Sequence, residues 1–287
     1  MTAVRASEPP LLDHRGDPTP SQARRERWAD LQDALHAEWT KMRTTPGAPC
    51  LALSTLVLTA GLSAAAAAAA SYTPGAAQDP TKISLTGIDL GQAIIAILAV
   101  VTISSEYSTR LIATTLTAVP RRITMLAAKA TLVTGVVLAA GTAAVLTSVL
   151  AGRLLLPGNG FTTAHGYALV SLGDEPTLRA AAGSVLYLAL IALFSLGIAC
   201  TVRDSATAIG VVLALLYLFP ILASAVTDQH WQRHLQQISP MDAGLAIQNT
   251  TNLHGLPIGP WAGLGVLAAW ATAAMLAGAL TLRLRDA

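Results

Sequence analysis

Long uncharged apolar runs alternate with short charged or Pro/Gly-containing interruptions along this chain, and their spacing predicts its elements. A bilayer core about 30 Å thick takes roughly 20 helical residues at about 1.5 Å rise each. Six runs meet that length: residues 49–70, 87–104, 130–152, 180–202, 206–226 and 259–282. The fourth and fifth are separated only by Arg203-Asp204-Ser205. The stretches 71–86, 153–179 and 227–258, carrying Pro74, Gly75, Pro157, Gly160, Pro240 and Pro257, read as loops. The pattern predicts an all-α integral membrane protein with six transmembrane helices.

Before the first run the pattern changes. Residues 1–22 hold Pro9, Pro10, Pro18 and Pro20 among charges and small residues, and read as a disordered cytoplasmic tail. Over 23–44, Trp28, Leu31, Leu35, Trp39 and Met42 recur at spacings of three and four, with Arg24, Glu26, Asp30, Asp33, Glu38 and Lys41 on the other faces. This predicts an amphipathic helix lying in the membrane interface, with Trp28 and Trp39 at headgroup level. Residues 45–287 then form the six-helix domain.

Composition sharpens this reading. The chain is 53% hydrophobic and 12% charged, against roughly a quarter charged in soluble domains. The basic residues are unevenly placed. With the amino terminus inside, 14 of the 18 lie on the cytoplasmic side, and only Lys82, Arg153, Arg179 and Arg233 lie outside. The positive-inside rule then predicts a multi-pass plasma-membrane protein with both termini cytoplasmic. Cys50 and Cys200 fall near the reducing side, as free thiols. Asp89 and Lys129 sit near span ends and are expected to snorkel, so the span interiors read as empty of charge. That argues against a proton-driven carrier.

The segment 105–129 is too charged to span and too apolar for a plain loop. Tyr107, Leu111, Thr115, Leu116 and Val119 fall on one helical stripe, and Glu106 precedes Arg110 by four residues, a favourable order. Pro120 is expected to end that helix, leaving Arg121, Arg122 and Lys129 at the level of anionic headgroups. The string Glu106-Tyr107, Arg110, Leu116, Pro120, Arg122 and Lys129 resembles the signature of type-2 ABC exporter permeases, although the family's usual Gly-Thr pair is absent from this segment. The resemblance extends to the six spans and the long loop before the last of them.

The resemblance implies a transport subunit that pairs with a second permease copy or a sister permease. It also implies ATP-binding cassette subunits docked on the cytoplasmic face. Glu106, Tyr107, Arg110, Leu111, Leu116 and Val119 would form the coupling helix, and Arg203-Asp204 a smaller second contact. The cargo would be hydrophobic or amphipathic, exported outward.

Other chemistry is sparse. No Gly-Lys pair exists to build a phosphate-binding loop, and no G-x-S-x-G nucleophile pattern occurs. No enzyme activity is therefore expected of this chain, and no cofactor bound by it; ATP and Mg would belong to the partner subunit. His230 and His234 share a helical spacing but find no fixed third or fourth ligand, so no metal site is expected. Gly259 and Gly263 form a GxxxG pair that reads either as helix packing or as a dimer contact. Membrane lipid is an expected partner; nucleic acid is not. The alternative from a different class is a membrane anchor or sensor that recruits a cytoplasmic partner without transport.

Overall fold

The computed structural model describes residues 32, 35–37, 39–40, 47–108 and 122–284. Within them, six helices are long and apolar enough to cross a membrane, and the chain is a multi-pass, all-α membrane protein. The first span is α1 (Gly47–Ala69). The second is α2 (Pro80–Leu85) running into α3 (Ile88–Ser108). The third is α4 (Arg122–Leu155) and the fourth α5 (Glu175–Val202). The fifth joins α6 (Ser205–Leu213), a π-helical turn (Ala214–Leu218) and α7 (Phe219–Ala225). Two short helices follow, α8 (Gln229–Ile238) and α9 (Pro240–Leu245), before the last span, α10 (Pro260–Leu284).

Helix starts on one face share a local recipe. A small residue, polar in three of the four cases, comes one or two positions ahead of a proline whose missing N–H costs nothing in the first turn. Asp79 caps α2 ahead of Pro80, its carboxylate accepting from the Lys82 amide at 3.1 Å. Ser239 caps α9 ahead of Pro240 in the same way. Asp174-Glu175-Pro176 opens α5 and Gly259-Pro260 opens α10. We call this face, which carries the connections 70–79, 156–174 and 226–259, the loop face. The ends of α3, α5 and α10 and the starts of α1, α4 and α6 share the opposite face.

The fourth span is the central one. Some 61% of its apolar window is buried, against 22% for the first and fifth spans, which lie at the periphery. It packs most extensively on α10 and also touches α3 and α4. The α5–α10 crossing is close because small residues meet there. A Cβ on Gly278 would lie 2.8 Å from Cys200 Cβ, and one on Gly197 would lie 2.4 Å from the Ala274 carbonyl carbon. Nearer the loop face, Phe194 meets Trp270 edge to face, and the Trp270 indole N–H donates to the Ile238 carbonyl at 3.0 Å. This bond holds the end of α8 against the last span.

The loop face is built, not frayed. Asn159 donates its amide to the Ala67 and Ala68 carbonyls at 2.8 and 3.1 Å, satisfying the open end of α1. Tyr72 stacks on His165, and Tyr167 sits edge-on to both Tyr72 and Phe161.

Several sequence expectations change here. Residues 80–85 are helical, not loop, and 227–258 contain two helices and short 3-10 turns. Gly263 packs within the chain: a Cβ there would lie 1.9 Å from the Ala243 carbonyl oxygen of α9. Helix α3 continues through Glu106 and Tyr107 to Ser108. Of the interfacial helix predicted over 23–44, the described residues are helical, and Thr40 Oγ1 bonds the His36 carbonyl at 2.9 Å. The rest of that segment, and the tail 1–22, lie outside the described residues.

Candidate functional site

The sequence-selected residues divide by position. Glu106 and Tyr107 belong to the last turn of α3, and Arg122 opens α4. Arg110, Leu111, Leu116, Val119, Arg121 and Trp28 lie outside the described residues. Trp39 is exposed. Arg203 and Asp204 form the turn between the fourth and fifth spans. Arg203 takes a left-handed conformation, φ 64°, and its amide closes α5 on the Ala199 carbonyl. Its guanidinium reaches the Thr281 carbonyl of α10 at 3.4 Å. Asp204 caps α6, accepting from the Thr207 amide at 2.8 Å and hydroxyl at 2.6 Å, and these bonds hold its exposed carboxyl below the usual carboxylate range. Two residues thus join two spans on the face that also carries the end of α3 and the start of α4, which bound the 109–121 segment.

Lys129 departs from expectation. Its side chain is only 1% exposed, inside the bundle and close enough to Cys200 of α5 to interact electrostatically. It does not snorkel to the headgroup layer from the surface of the third span. Cys200 is a buried free thiol and Cys50 an exposed one.

Under the loop face lies a cavity of about 320 Å³, which the sequence reading did not anticipate. Its walls come from the start of the second span (Lys82, Thr86, Asp89) and from the segment between spans five and six. That segment supplies Gln236, Met241, Asp242, Leu245, Gln248 and Asn249, with Leu256, Pro257 and Ile258 closing it. It adjoins a second cavity of about 450 Å³, sharing Lys82, Thr86, Asn249 and Leu256.

The walls are positioned from both sides. The Asp79 carboxylate accepts from the Thr250 amide at 2.6 Å and hydroxyl at 2.7 Å, and from the Thr251 amide at 3.1 Å. One side chain therefore both caps α2 and ties down the segment before the last span. Lys82 donates to the Asn249 side chain at 3.1 Å and acts on Asp89 and Asp242 through its charge. Arg179 holds the Asn249 carbonyl from behind, at 2.7 Å.

Deeper in the bundle, Tyr187 of α5 donates to the Gln92 side-chain oxygen, and Gln92 donates to the Asp89 carbonyl at 3.0 Å. Tyr217, in the π-helical turn of the fifth span, donates to the same carbonyl. The backbone at Asp89 is thereby fixed by three spans, and the residue lines the cavity.

Two polar residues of the lining carry buried atoms without a partner. Asp242 has a buried carboxylate oxygen with no hydrogen-bond partner, and so does the amide nitrogen of Gln248, a residue 2% exposed. Burial pushes the Asp242 carboxyl above the usual carboxylate range, while the Ser239 hydroxyl and Lys82 ammonium pull it partly back. Chemically, this is a binding cavity of mixed polar and apolar lining with an excess of negative charge. His230 and His234 lie elsewhere, on the exposed side of α8, with ring nitrogens 3.1 Å apart. Among the described residues, no third His, Cys, Asp or Glu joins them.

The signal for the cavity was partly in the sequence. Asp89 is an ionisable residue within an apolar stretch, which by default marks function. Its partners Asp242 and Gln248 come from a region read as loop. No protein-family model matches the chain, and no curated protein is recognisably similar to it.

Proposed function

We propose that the chain is the transmembrane subunit of an ATP-driven ABC exporter, moving a hydrophobic or amphipathic substrate outward with energy from a separate ATP-binding subunit. The observation that carries the reading is a convergence on one face. The end of α3 and the start of α4 bracket the 109–121 segment, which holds the Arg110 to Pro120 part of the motif. The tight Arg203-Asp204 turn and the end of α10 lie on the same face. The order of the spans along the sequence assigns 14 of the 18 basic residues to this side, which makes it cytoplasmic under the positive-inside rule. The cavity lies toward the other side, where an exported substrate leaves.

In this reading, Glu106 and Tyr107 continue the second span into the coupling element, and Leu111, Leu116 and Val119 sit in a cleft of the ATP-binding subunit. Arg203-Asp204 makes the smaller contact. The helical continuity of α3 through Ser108 supports mechanical transmission, because a rigid end passes on a partner's movement where a flexible loop absorbs it. A second permease copy or sister permease completes the pathway. ATP and Mg are bound by the partner, and this chain turns over no ATP itself.

The test is co-purification with a co-expressed ATP-binding cassette subunit from the same source, followed by ATPase measurement in proteoliposomes. Wild type retains the subunit and hydrolyses ATP. Leu111→Asp loses the subunit from the purified complex. Unchanged complex formation and ATP turnover in Leu111→Asp overturns the coupling assignment, and hydrolysis intrinsic to this chain overturns the division of labour.

A further inference from the structure

We infer that the cavity between Asp89 and Asp242 binds the ammonium group of an amphipathic amine carrying a nearby oxygen acceptor. As the substrate class of an exporter this rests on the reading above. As a binding site it stands on the geometry alone.

Charge comes first. Three ionisable side chains line the cavity: Lys82, Asp89 and Asp242. With both carboxylates ionised, the lining carries one uncompensated negative charge. Lys82 is turned to Asn249, and Arg179 engages the backbone of Asn249 from outside the lining. A carboxylate out of water is costly unless a cation or several donors meet it. Asp242 keeps a buried oxygen that no protein donor reaches. An ammonium group supplies both the charge and the donors, through charge-assisted hydrogen bonds.

The second requirement comes from Gln248. It is 2% exposed, lines the same cavity, and its amide nitrogen has no acceptor. A bare ammonium leaves that donor unsatisfied, whereas a hydroxyl or carbonyl oxygen near the amine satisfies it. Beside the polar Thr86, Gln236 and Asn249, the rest of the lining holds an apolar stretch of Met241, Leu245, Leu256 and Ile258. Such a lining fits a hydrocarbon or aromatic body better than a hydrated metal ion, which needs several oxygen ligands at short range. The volume of about 320 Å³ is roughly ten times a water molecule's share of the liquid, and lies in the range of small-molecule sites.

The probe is tritiated propranolol, an amphipathic amino alcohol, binding to the full-length chain in lipid nanodiscs. Empty discs of the same lipid give the partition background. Saturable binding above that background is expected. N-acetylated propranolol keeps the body and the oxygen but loses the positive charge, and is expected not to compete. Asp242→Asn and Asp89→Asn preserve shape and remove one charge each, and each is expected to weaken binding about tenfold or more. Gln248→Leu is expected to weaken propranolol while sparing its analogue lacking the hydroxyl. Each variant is first shown to elute as wild type and to unfold cooperatively.

Absence of saturable binding in wild type, equal competition by the N-acetyl compound, or wild-type affinity in both aspartate variants overturns the site, which then holds water only. No ATP-binding subunit is present, so a failed exporter reading leaves this result untouched. Binding without any ATP-dependent transport sinks the exporter reading and not the site.

Discussion

Two aspartates on the loop face show how environment decides what a carboxylate does. Asp79 is satisfied: it caps α2 and receives hydrogen bonds from Thr250 and Thr251, so its charge works as a structural tie. Asp242 is half-satisfied, with one buried oxygen unpartnered and its carboxyl pushed up by burial. The charged groups facing it are Lys82, which favours its ionised form, and Asp89, which lies in the same cavity. The folded state therefore holds the Asp242 proton more tightly than the unfolded chain does. The neutral form's contribution to stability is present in acid and is lost as pH rises from the ordinary carboxylate range through the raised folded value. Asp242→Asn is accordingly expected to raise the thermal midpoint at neutral pH by a few degrees, and to change it little in acid, below the ordinary carboxylate range. Thermal unfolding in detergent at the two pH values measures this. A lower midpoint at neutral pH would mean that the ionised carboxylate stabilises the fold. A group that costs stability and yet lines a cavity is the kind that function retains.

At the scale of elements, the α5–α10 crossing rests on absent side chains. Gly278 leaves room for Cys200, and a Cβ at 2.8 Å from Cys200 Cβ and 3.0 Å from the Gly197 carbonyl oxygen cannot fit without a shift. Gly278→Ala is expected to destabilise by about 1–3 kcal/mol, as small-to-large changes in packed cores do. The helix-propensity gain of Ala over Gly, up to about 1 kcal/mol, offsets only part of this. Cys200→Gly opens the space the new methyl needs. The double variant is therefore expected to be more stable than the two single effects summed, and strict additivity would show that the contact does not set the spacing. The spans themselves were legible, because an apolar run of about 20 residues admits few structures other than a spanning helix. The Asp79-Pro80 start of α2 was present as an N-cap signal, but six residues give no periodicity to confirm it. Helices α8 and α9 are short, polar and divided at Ser239-Pro240, so their sequence carries turn signals more strongly than helical ones. The polar network was not legible. Gln92 and Tyr187 stand 95 residues apart, and Tyr217 and Asp89 stand 128 apart, and only the packing of three spans brings them together. The fifth span adds a further irregularity. Pro220 has no N–H to continue the ladder, and the π-helical turn just before it places Tyr217 on the second span.

For the whole molecule, the fold separates two kinds of chemistry onto two faces, and membrane orientation decides what each can do. The face opposite the loops holds the ends of α3, α5 and α10 with the Arg203-Asp204 turn. The loop side holds the paired cavities, the Tyr72–His165 stack and the Asp79 tie. If the loop face is outside, the cavity lies across the bilayer from the side on which the proposed ATP-binding subunits would dock. In the reverse orientation the cavity faces the cytoplasm, and the coupling assignment has no access to ATP. The charge distribution predicts the first arrangement. Single-cysteine labelling in a background lacking Cys50 and Cys200 decides between them. Asp174 suits the loop face because it is exposed and its side chain makes no capping bond. Leu284 suits the other face because it is 80% exposed at the end of α10. In intact cells, a membrane-impermeant maleimide is expected to label Asp174→Cys, while Leu284→Cys labels only after the membrane is opened. The opposite pattern overturns the orientation and the exporter reading together. It leaves the bundle and its cavity intact, and turns the amine site into one loaded directly from the cytoplasm.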